Sequence, residues 1–265
     1  MNARPIDSKG ESADVLSARR PIPEVDARHG HEGAHGGAVR SMFDRIAPTY
    51  DTMNRLLSAG LDVRWRRRAV SKLASAPEGA ILDLCAGTLD LSAEIERQFP
   101  ERRIVAVDFA ADMLARGEGK TARTQTIVGD AMELPFDDGR FAAIVCGFGL
   151  RNLSDPLEGL AEAVRVLQPG GRLVLLEFFR PIDGVRGSVT RAFHAAYAKV
   201  VMPAVGAAVA KDRDAYEYLA RSMASFLTRR EVELHLGVLG LIDVRGEDLT
   251  LGVASIVAGT KGRGE

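Results

Sequence analysis

The chain has 265 residues, of which 46% are hydrophobic and 27% charged, and its formal net charge at pH 7 is −1. This length supports one large domain with a sizeable core, and the near-neutral charge excludes a protein that attracts nucleic acid or an anionic membrane through its overall electric field. The basic cluster of residues 64–68 is a local exception. Its two cysteines, Cys85 and Cys146, are too few for a disulfide framework, which favours a cytoplasmic location.

Residues 1–38 predict a disordered arm, because they are rich in Gly, Pro and charged residues and have no hydrophobic period. His29, His31 and His35 lie in this arm without another ligand type at a useful spacing, so we expect no metal site. The first residues lack the basic and apolar segments of a signal peptide, and no apolar run is long enough to span a bilayer.

Residues 39–262 form the predicted domain, and its first part, residues 39–76, predicts a helical lid. Apolar side chains such as Met42 and Ile46 recur at helical spacing, and Pro48 separates two short helices. A helical segment ahead of the first strand can cover a ligand or pack against the sheet, and the two roles are compatible.

The middle of the domain alternates strands with helices. We predict strands at residues 80–85, 104–108, 125–128, 142–147 and 172–178, and helices at residues 90–98, 110–118 and 156–167. The run Pro169-Gly170-Gly171 predicts a sharp turn between the last of these helices and its strand. Strands that alternate with helices indicate an α/β fold with a parallel, doubly wound sheet.

The pattern changes after the fifth strand. Residues 181–228 predict a helical insertion that acts as a cap, and its most apolar segment is residues 200–210. A further helix is predicted at residues 231–239, followed by strands at residues 241–249 and 252–260 without a helix between them. An antiparallel hairpin that closes a seven-stranded, mostly parallel sheet favours a Rossmann-like class I methyltransferase over a nicotinamide dehydrogenase, whose strands would keep alternating with helices.

Acidic residues stand at the ends of three successive predicted strands. Asp83 lies near the end of the first strand, and the small-residue turn that follows contains Gly87 and Thr88. Asp108 closes the second strand and Asp130 follows the third. Asp108 lies about 20 residues after the turn, where nucleotide-binding folds place the acid that binds ribose hydroxyls. The sequence therefore predicts one ligand crevice along this edge of the sheet.

Longer motifs occur along the domain. They are Met42-Phe43-Asp44-Arg45-Ile46-Ala47-Pro48, Gly129-Asp130-Ala131, Phe148-Gly149-Leu150-Arg151-Asn152, Leu176-Glu177-Phe178 and Tyr216-Glu217-Tyr218-Leu219. In this combination the chain resembles the ubiquinone/menaquinone biosynthesis C-methyltransferases, the UbiE/MenG family, from about Val39 to Lys261. The opening motif and the Phe-Gly-Leu-Arg-Asn run are the most specific parts of the resemblance.

The resemblance implies that the chain binds S-adenosyl-L-methionine (SAM) and methylates a ring carbon of a demethylated prenyl hydroquinone, either demethylmenaquinol or a ubiquinol precursor. Seven residues would hold the cofactor: Asp83, Gly87, Thr88, Asp108, Asp130, Ala131 and Gly147. The Gly-Thr turn would face the amino-acid end of SAM, and Asp83 would reach its ammonium through water. Asp108 would bind the ribose hydroxyls, and Asp130 with the next backbone N–H would bind adenine. Gly147 would present its backbone near the methyl donor.

The reaction requires the acceptor hydroxyl to lose its proton while a ring carbon attacks the methyl group in line. Our catalytic candidates are Arg151 and Asn152, together with Tyr50 on the predicted lid. Asp51 and His194 are secondary candidates. Because a guanidinium stays protonated, Arg151 would stabilise a phenolate or polarise a water that takes the proton.

One position departs from the family pattern. The turn reads Gly87-Thr88-Leu89-Asp90 where the family has a glycine third, and a leucine adopts a positive φ only at a cost. Two alternatives therefore stay open: a divergent methyltransferase for another small aromatic molecule, and a non-catalytic scaffold. The apolar segment 200–210 also leaves open a homodimer contact or a transient contact with a membrane surface, which would place the protein at the periphery of the inner membrane.

Overall fold

The computed structural model describes residues 34–180, 218 and 221–264. Its strands are β1 (Ile81–Leu84), β2 (Ile104–Asp108), β3 (Gln125–Val128), β4 (Phe141–Gly147), β5 (Leu167–Glu177), β6 (Leu241–Leu249) and β7 (Ala254–Lys261). Its α-helices are α1 (Ala34–Ile46), α2 (Tyr50–Leu57), α3 (Leu61–Ser71), α4 (Asp90–Gln98), α5 (Ala111–Gly117), α6 (Pro156–Val166) and α7 (Arg229–Val238). Most of the predicted arm and insertion, with His194 and residues 200–210, lies outside the described residues.

The strands form one sheet in the order β3-β2-β1-β4-β5-β7-β6. Strands β1 to β5 pair in parallel, whereas β7 runs antiparallel to both β5 and β6. The predicted seven-stranded, mostly parallel sheet with a closing antiparallel hairpin is therefore confirmed. The strand order reverses at β1, which pairs with β2 on one side and β4 on the other, and such a switch point is where open α/β sheets bind ligands.

Helices cover both faces of the sheet, which explains why the central strands are apolar on both sides. Trp65 and Val70 of α3 pack with Ile95 of α4 on one face. Leu160 of α6 and Leu236 of α7 pack on the other face. The carboxyl ends of the strands are thus held rigidly by a core on each side.

The predicted lid, residues 39–76, divides into two parts. Val70 of α3 is fully buried against the sheet, so α3 is a helix of the core. Helix α1 instead packs through Phe43 on Met113 of α5, near the strand ends. It starts at Ala34, five residues before the predicted start. Among the described helices, none has the length and apolar content needed to cross a membrane.

The start of β5 differs from the prediction. The strand begins at Leu167, directly after α6, and not at Arg172. Leu167 pairs with Phe141 and Arg172 with Ala143, so the Pro169-Gly170-Gly171 run forms an irregularity inside the strand. Gly170 has a φ of 76°, which suits a glycine. The turn residues were visible in the sequence, but the pairing of Leu167 was not, because it depends on the neighbouring strand.

Candidate active site

The turn after β1 is tied to the end of β2. The Gly87 N–H donates to Asp108 Oδ2 at 2.7 Å, and the Ala110 N–H donates to Asp108 Oδ1 at 2.9 Å. Burial raises the pKa of Asp108 to about 6, although these backbone hydrogen bonds act to lower it. Each carboxylate oxygen keeps a second lone pair, so Asp108 can also accept a hydrogen bond from a ligand hydroxyl.

Asp83 is completely buried at the end of β1. Its Oδ2 accepts a hydrogen bond from Ser92 Oγ at 2.6 Å, whereas its Oδ1 has no hydrogen-bond partner within the described part of the chain. Burial raises the pKa of Asp83 to about 7; the Ser92 hydrogen bond lowers the pKa and the nearby Asp108 raises it. An unpartnered buried carboxylate oxygen is costly, so Oδ1 fits a ligand that supplies a proton donor or a positive charge.

A small cavity, here called the inner cavity, lies at these strand ends and encloses about 390 Å³ when its open mouth is included. Five of the predicted site residues meet in its wall, namely Tyr50, Gly87, Asp108, Gly147 and Asn152. The remaining wall is mostly apolar and sulfur-containing, and consists of Phe43, Cys85, Phe109, Met113, Phe148, Gly149 and Leu153. The structure therefore brings together residues from the lid, from the turn and from the ends of β2 and β4.

Two glycines form the wall of the inner cavity beside β4. A Cβ atom on Gly147 would lie 2.5 Å from Leu91 Cδ1, and a Cβ on Gly149 would overlap the side chain of Cys85. Side chains at these positions would force a neighbour to move, so both glycines make room for protein side chains. The role of Gly147 beside a ligand stays a prediction. Phe148, between the two, has a φ of 60°, a strained conformation that clusters at functional sites.

The other predicted cofactor residues lie outside the described lining of the inner cavity. The Thr88 hydroxyl donates to Asp51 Oδ1 of α2 at 2.5 Å. Asp130 Oδ1 accepts from the Met132 N–H at 2.9 Å and so orders the loop after β3. Ala131 is buried in the core beside this loop. The contacts of Asp130 and Ala131 with adenine therefore stay predictions.

A larger cavity, here called the outer cavity, encloses about 930 Å³ when its open mouth is included. Its wall is mostly apolar, and its polar residues are Tyr50, Asn54, Ser58, Asp62, Arg66, Arg151 and Thr250. Tyr50 and Phe148 line both cavities, so the two spaces share a wall. Among the catalytic candidates, Asn152 lines the inner cavity, Arg151 lines the outer cavity, and Tyr50 lies between them.

Arg151 is held by a buried acid that the sequence analysis did not assign. Its Nη1 donates to Glu177 Oε1 at 2.6 Å and to the Phe148 carbonyl at 2.7 Å. Its guanidinium also lies 5.5 Å from the ring centre of Phe178. The Arg151 Nε is buried and has no partner among the described residues, which leaves one donor for a ligand. Glu177 ends a buried strand, as Asp108 does, and that signal could have identified it.

Asn152 joins the end of β4 to a residue of the predicted insertion. Its Nδ2 donates to the Phe148 carbonyl at 3.2 Å, and its Oδ1 accepts from the Tyr218 hydroxyl at 3.3 Å. Burial raises the pKa of both the Tyr50 and the Tyr218 hydroxyl. Both hydroxyls are therefore protonated at neutral pH; the Tyr218 hydroxyl is used by Asn152, whereas the Tyr50 hydroxyl is available as a donor.

Ion pairs connect α2 and α3 to the turn after β1. Lys120 Nζ lies 2.5 Å from Asp51 Oδ2 and 2.7 Å from Asp90 Oδ1. Arg66 Nη1 lies 3.3 Å from Asp90 Oδ2 and also pairs with Asp62. Burial alone would raise the pKa of Asp62, but Arg66 and a hydrogen bond from Ser58 hold that pKa below its ordinary value. No local pattern in the sequence points to Lys120, because its partners are 30 and 69 residues away.

Leu89, the residue that departs from the family pattern, adopts a φ of 63° and is 1% exposed. It packs with Leu114 of α5 and Ala106 of β2, and it is outside the described lining of both cavities. A Cβ on Gly117 would lie 2.5 Å from Leu89 Cγ, so the missing side chain of Gly117 makes room for the leucine.

Comparison with known proteins agrees with this geometry. The model of the ubiE/COQ5 methyltransferase family matches residues 31–261. The chain is 40% identical over 230 residues to the demethylmenaquinone methyltransferase of Deinococcus radiodurans, covering 85% of this chain and 93% of that protein. It is 38% identical over 234 residues to the ubiquinone/menaquinone biosynthesis C-methyltransferase UbiE of Geobacter sulfurreducens, covering 86% of this chain and 90% of that protein.

Solved structures with the same fold include methyltransferases at low sequence identity. A SAM-dependent methyltransferase from Aquifex aeolicus superposes with a TM-score of 0.54 at 15% identity, covering 83% of this chain and 97% of that chain. A phosphoethanolamine N-methyltransferase from Haemonchus contortus, in complex with SAM, gives a TM-score of 0.60 at 13% identity, covering 84% of this chain and 60% of that chain. The sheet order, the strand-end site and the family match together show that the chain belongs to the ubiE/COQ5 methyltransferase family of enzymes.

Proposed function

We propose that the protein transfers the methyl group of SAM to a ring carbon of a demethylated prenyl hydroquinone. The observation that carries this proposal is the pair of cavities that share Tyr50 and Phe148. The inner cavity lies at the turn and strand ends, where this fold binds a nucleotide-like cofactor. The outer cavity is large and apolar, as a prenylated aromatic ring requires. The names of the relatives, demethylmenaquinone methyltransferase and UbiE, support this acceptor class.

The residues of the inner cavity fit SAM. Asp83 is fully buried and lies outside the described lining of this cavity, and its unpartnered Oδ1 suits a water that links it to the ammonium group. Asp108 has lone pairs left for ribose hydroxyls after it has accepted two backbone N–H groups. Gly147 lines the inner cavity and would present its backbone to the ligand. The bound cofactor supplies an electrophilic methyl group, and the protein has to orient the acceptor and exclude water.

The residues of the outer cavity suit the acceptor. The buried ion pair with Glu177 and the hydrogen bond to the Phe148 carbonyl hold the Arg151 guanidinium in place. A cation fixed in this position stabilises a developing phenolate and so favours loss of the hydroxyl proton. The protonated Tyr50 hydroxyl, on the wall between the cavities, can donate a hydrogen bond to the same oxygen.

Two substitutions of Arg151 test this assignment. We expect Arg151→Met to lower kcat by about a hundredfold or more, since it removes a fixed charge that acts in the transition state. Arg151→Lys should recover only part of that loss, because an ammonium cannot reproduce the guanidinium geometry. The Kd for SAM should change little, since Arg151 lines the other cavity.

The assay would follow transfer of labelled methyl from SAM to a reduced, demethylated quinone with a short prenyl tail. The exposed Arg123→Met serves as a matched control and should retain wild-type kcat. Equal losses of SAM affinity and kcat in Arg151→Met would contradict the assignment to the acceptor side. Absence of turnover by the wild-type protein with every reduced prenyl quinone would refute the proposed acceptor.

Leu89 was the reason to consider another aromatic acceptor or a non-catalytic scaffold. Its side chain packs against Gly117 and Leu114 and does not narrow either cavity. This packing supports a turn that keeps its binding function with a leucine in place of glycine.

A further inference from the structure

We propose that one face of the protein docks onto an anionic phospholipid surface beside the mouth of the outer cavity. This face, here called the basic rim, consists of Arg64, Arg67 and Arg68 of α3 with Leu251 between β6 and β7. The inference rests on the proposed function, because a prenyl hydroquinone is amphiphilic and resides in membranes.

The basic rim carries positive charge although the chain as a whole has a net charge of −1. The side chains of Arg67 and Arg68 are 60% and 53% exposed, and Arg64 is also exposed. Among the described residues, the cations around the rim outnumber the carboxylates that pair with them. They are Arg64, Arg67, Arg68 and Lys72, against Glu247 and against Glu94, with which Arg97 also pairs. An excess of exposed cations is attracted to the negative surface potential of anionic lipids.

Leu251 adds an apolar contact to this charge. It is 82% exposed, with a φ of 58°, at the turn that connects β6 to β7. The Trp65 Nε1 donates to Thr250 Oγ1 at 2.9 Å, and so fastens α3 to the residue directly before Leu251. Arg68 and Lys72 also pair with Glu247 of β6. The arginines and the leucine therefore form one rigid surface, with the composition of an interfacial membrane contact.

The basic rim is continuous with the outer cavity. Leu61, Trp65 and Thr250 line that cavity, and they also line a surface groove whose other walls include all three arginines. From the surface groove to the outer cavity, the lining thus changes from basic to apolar, as a bilayer changes from headgroups to acyl chains. A prenylated ring held at this rim can enter the cavity without passing through bulk water.

Vesicle sedimentation of the full chain tests the proposal. We expect binding to phosphatidylcholine vesicles that contain phosphatidylglycerol, weaker binding at high salt, and little binding to phosphatidylcholine alone. Arg64→Gln and Arg67→Gln should each lower the partition coefficient by about fivefold, and Leu251→Ser should lower it further. The matched controls are the exposed Arg123→Gln and Leu234→Ser, which lie on other elements and should bind as the wild type does.

Two outcomes would overturn the proposal. The first is equal binding to neutral and anionic vesicles, or binding that the rim variants do not change. The second is absence of vesicle binding together with a dimer that dissociates in the rim variants, which would make the rim an interface between two copies. Turnover of a short-tail hydroquinone in detergent separates this test from the proposed function: rim variants should keep their kcat there, whereas a wrong acceptor gives no turnover in any variant.

Discussion

Leu89 shows how a residue that violates a local rule can be compensated by a distant one. A left-handed backbone at a leucine costs about 1 kcal/mol or more relative to glycine. Burial of its side chain against Ala106 and Leu114 offsets that cost, since burying a leucine contributes roughly 1.5–3 kcal/mol. Gly117 provides the space for it. The leucine that replaces glycine in the turn is therefore accommodated by packing in the core.

This coupling can be measured with a double-mutant cycle. Gly117→Ala should destabilise the wild-type protein by roughly 1–3 kcal/mol, because its Cβ would meet Leu89 Cγ at 2.5 Å. The same change in a Leu89→Gly background should cost less, although contact with the Thr88 backbone remains. Urea unfolding of the four proteins gives the interaction energy. Gly237→Ala is the control, because a Cβ atom there would have no neighbour within 4 Å. If the effects of Gly117→Ala and Leu89→Gly on the free energy of unfolding are additive, the two residues are not coupled.

For single residues, the sequence predicts a role in the site where the residue stands at or near the end of a strand. Asp83 and Asp108 both lie at or near the ends of predicted strands; the structure places Asp108 in the wall of the inner cavity and buries Asp83 outside its described lining. Glu177 has the same local signature but was assigned no role, because its meaning depends on Arg151, which is 26 residues away. The packing of Leu89 on Gly117 could not be predicted from the sequence either, because it depends on how the turn and α5 are placed in the fold.

The elements above the strand ends are joined by charge rather than by apolar packing alone. Asp51 of α2 binds both the Thr88 hydroxyl of the turn and the ammonium of Lys120. Lys120 in turn binds Asp90, the first residue of α4. Through this one lysine, the position of α2 over the inner cavity is coupled to the turn that we assign to the cofactor.

Removal of Lys120 should loosen α2. We expect Lys120→Met to lower the free energy of unfolding by about 1 kcal/mol, because the pair is partly exposed and screened. The amide hydrogens of α2 should exchange faster, and SAM should bind more weakly. Lys72→Met, which breaks a comparable pair with Glu247 elsewhere, should leave exchange in α2 unchanged. Equal exchange rates in α2 for both variants would show that Lys120 does not fasten the helix.

Most helices and strands could be predicted from the sequence, because the patterns that indicate them lie within the elements themselves. Asp155, with the following Pro156, begins α6 by accepting from the N–H groups of Leu157 and Glu158. The same local reasoning missed the first residues of β5, whose pairing with β4 is a tertiary contact. Helix α3, in the predicted lid, packs on the sheet through Val70, and its residues Leu61 and Arg66 also line the outer cavity.

For the molecule as a whole, two buried acids make stability depend on pH. The folded pKa values of Asp83 and Asp108, about 7 and about 6, lie above the value of about 3.9 for an unfolded aspartate. Between these values the folded state binds more protons than the unfolded state. The free energy of unfolding should therefore fall as the pH rises from about 4 to about 7 and then level off.

Urea titrations of the protein without ligand, from pH 5 to pH 8, would check this dependence. In Asp83→Asn the free energy of unfolding should change less with pH than in the wild type, because a neutral amide carries no buried charge. The difference in stability from the wild type should therefore favour the variant more at pH 8 than at pH 5. The exposed Asp137→Asn should keep the wild-type slope. A wild-type protein that gains stability steadily from pH 5 to pH 8 would contradict the raised pKa values.

The position of β7 has a consequence for the growing chain on the ribosome. β7 is the last of the described strands in sequence, yet it lies between β5 and β6. When residue 249 has been synthesised, β5 still exposes an unpaired edge, and β6 has no neighbour to pair with. The nascent protein therefore passes through an interval in which two strand edges are open to other chains. The length of that interval, set by the rate of translation through β7, is the period in which a chaperone would be most useful.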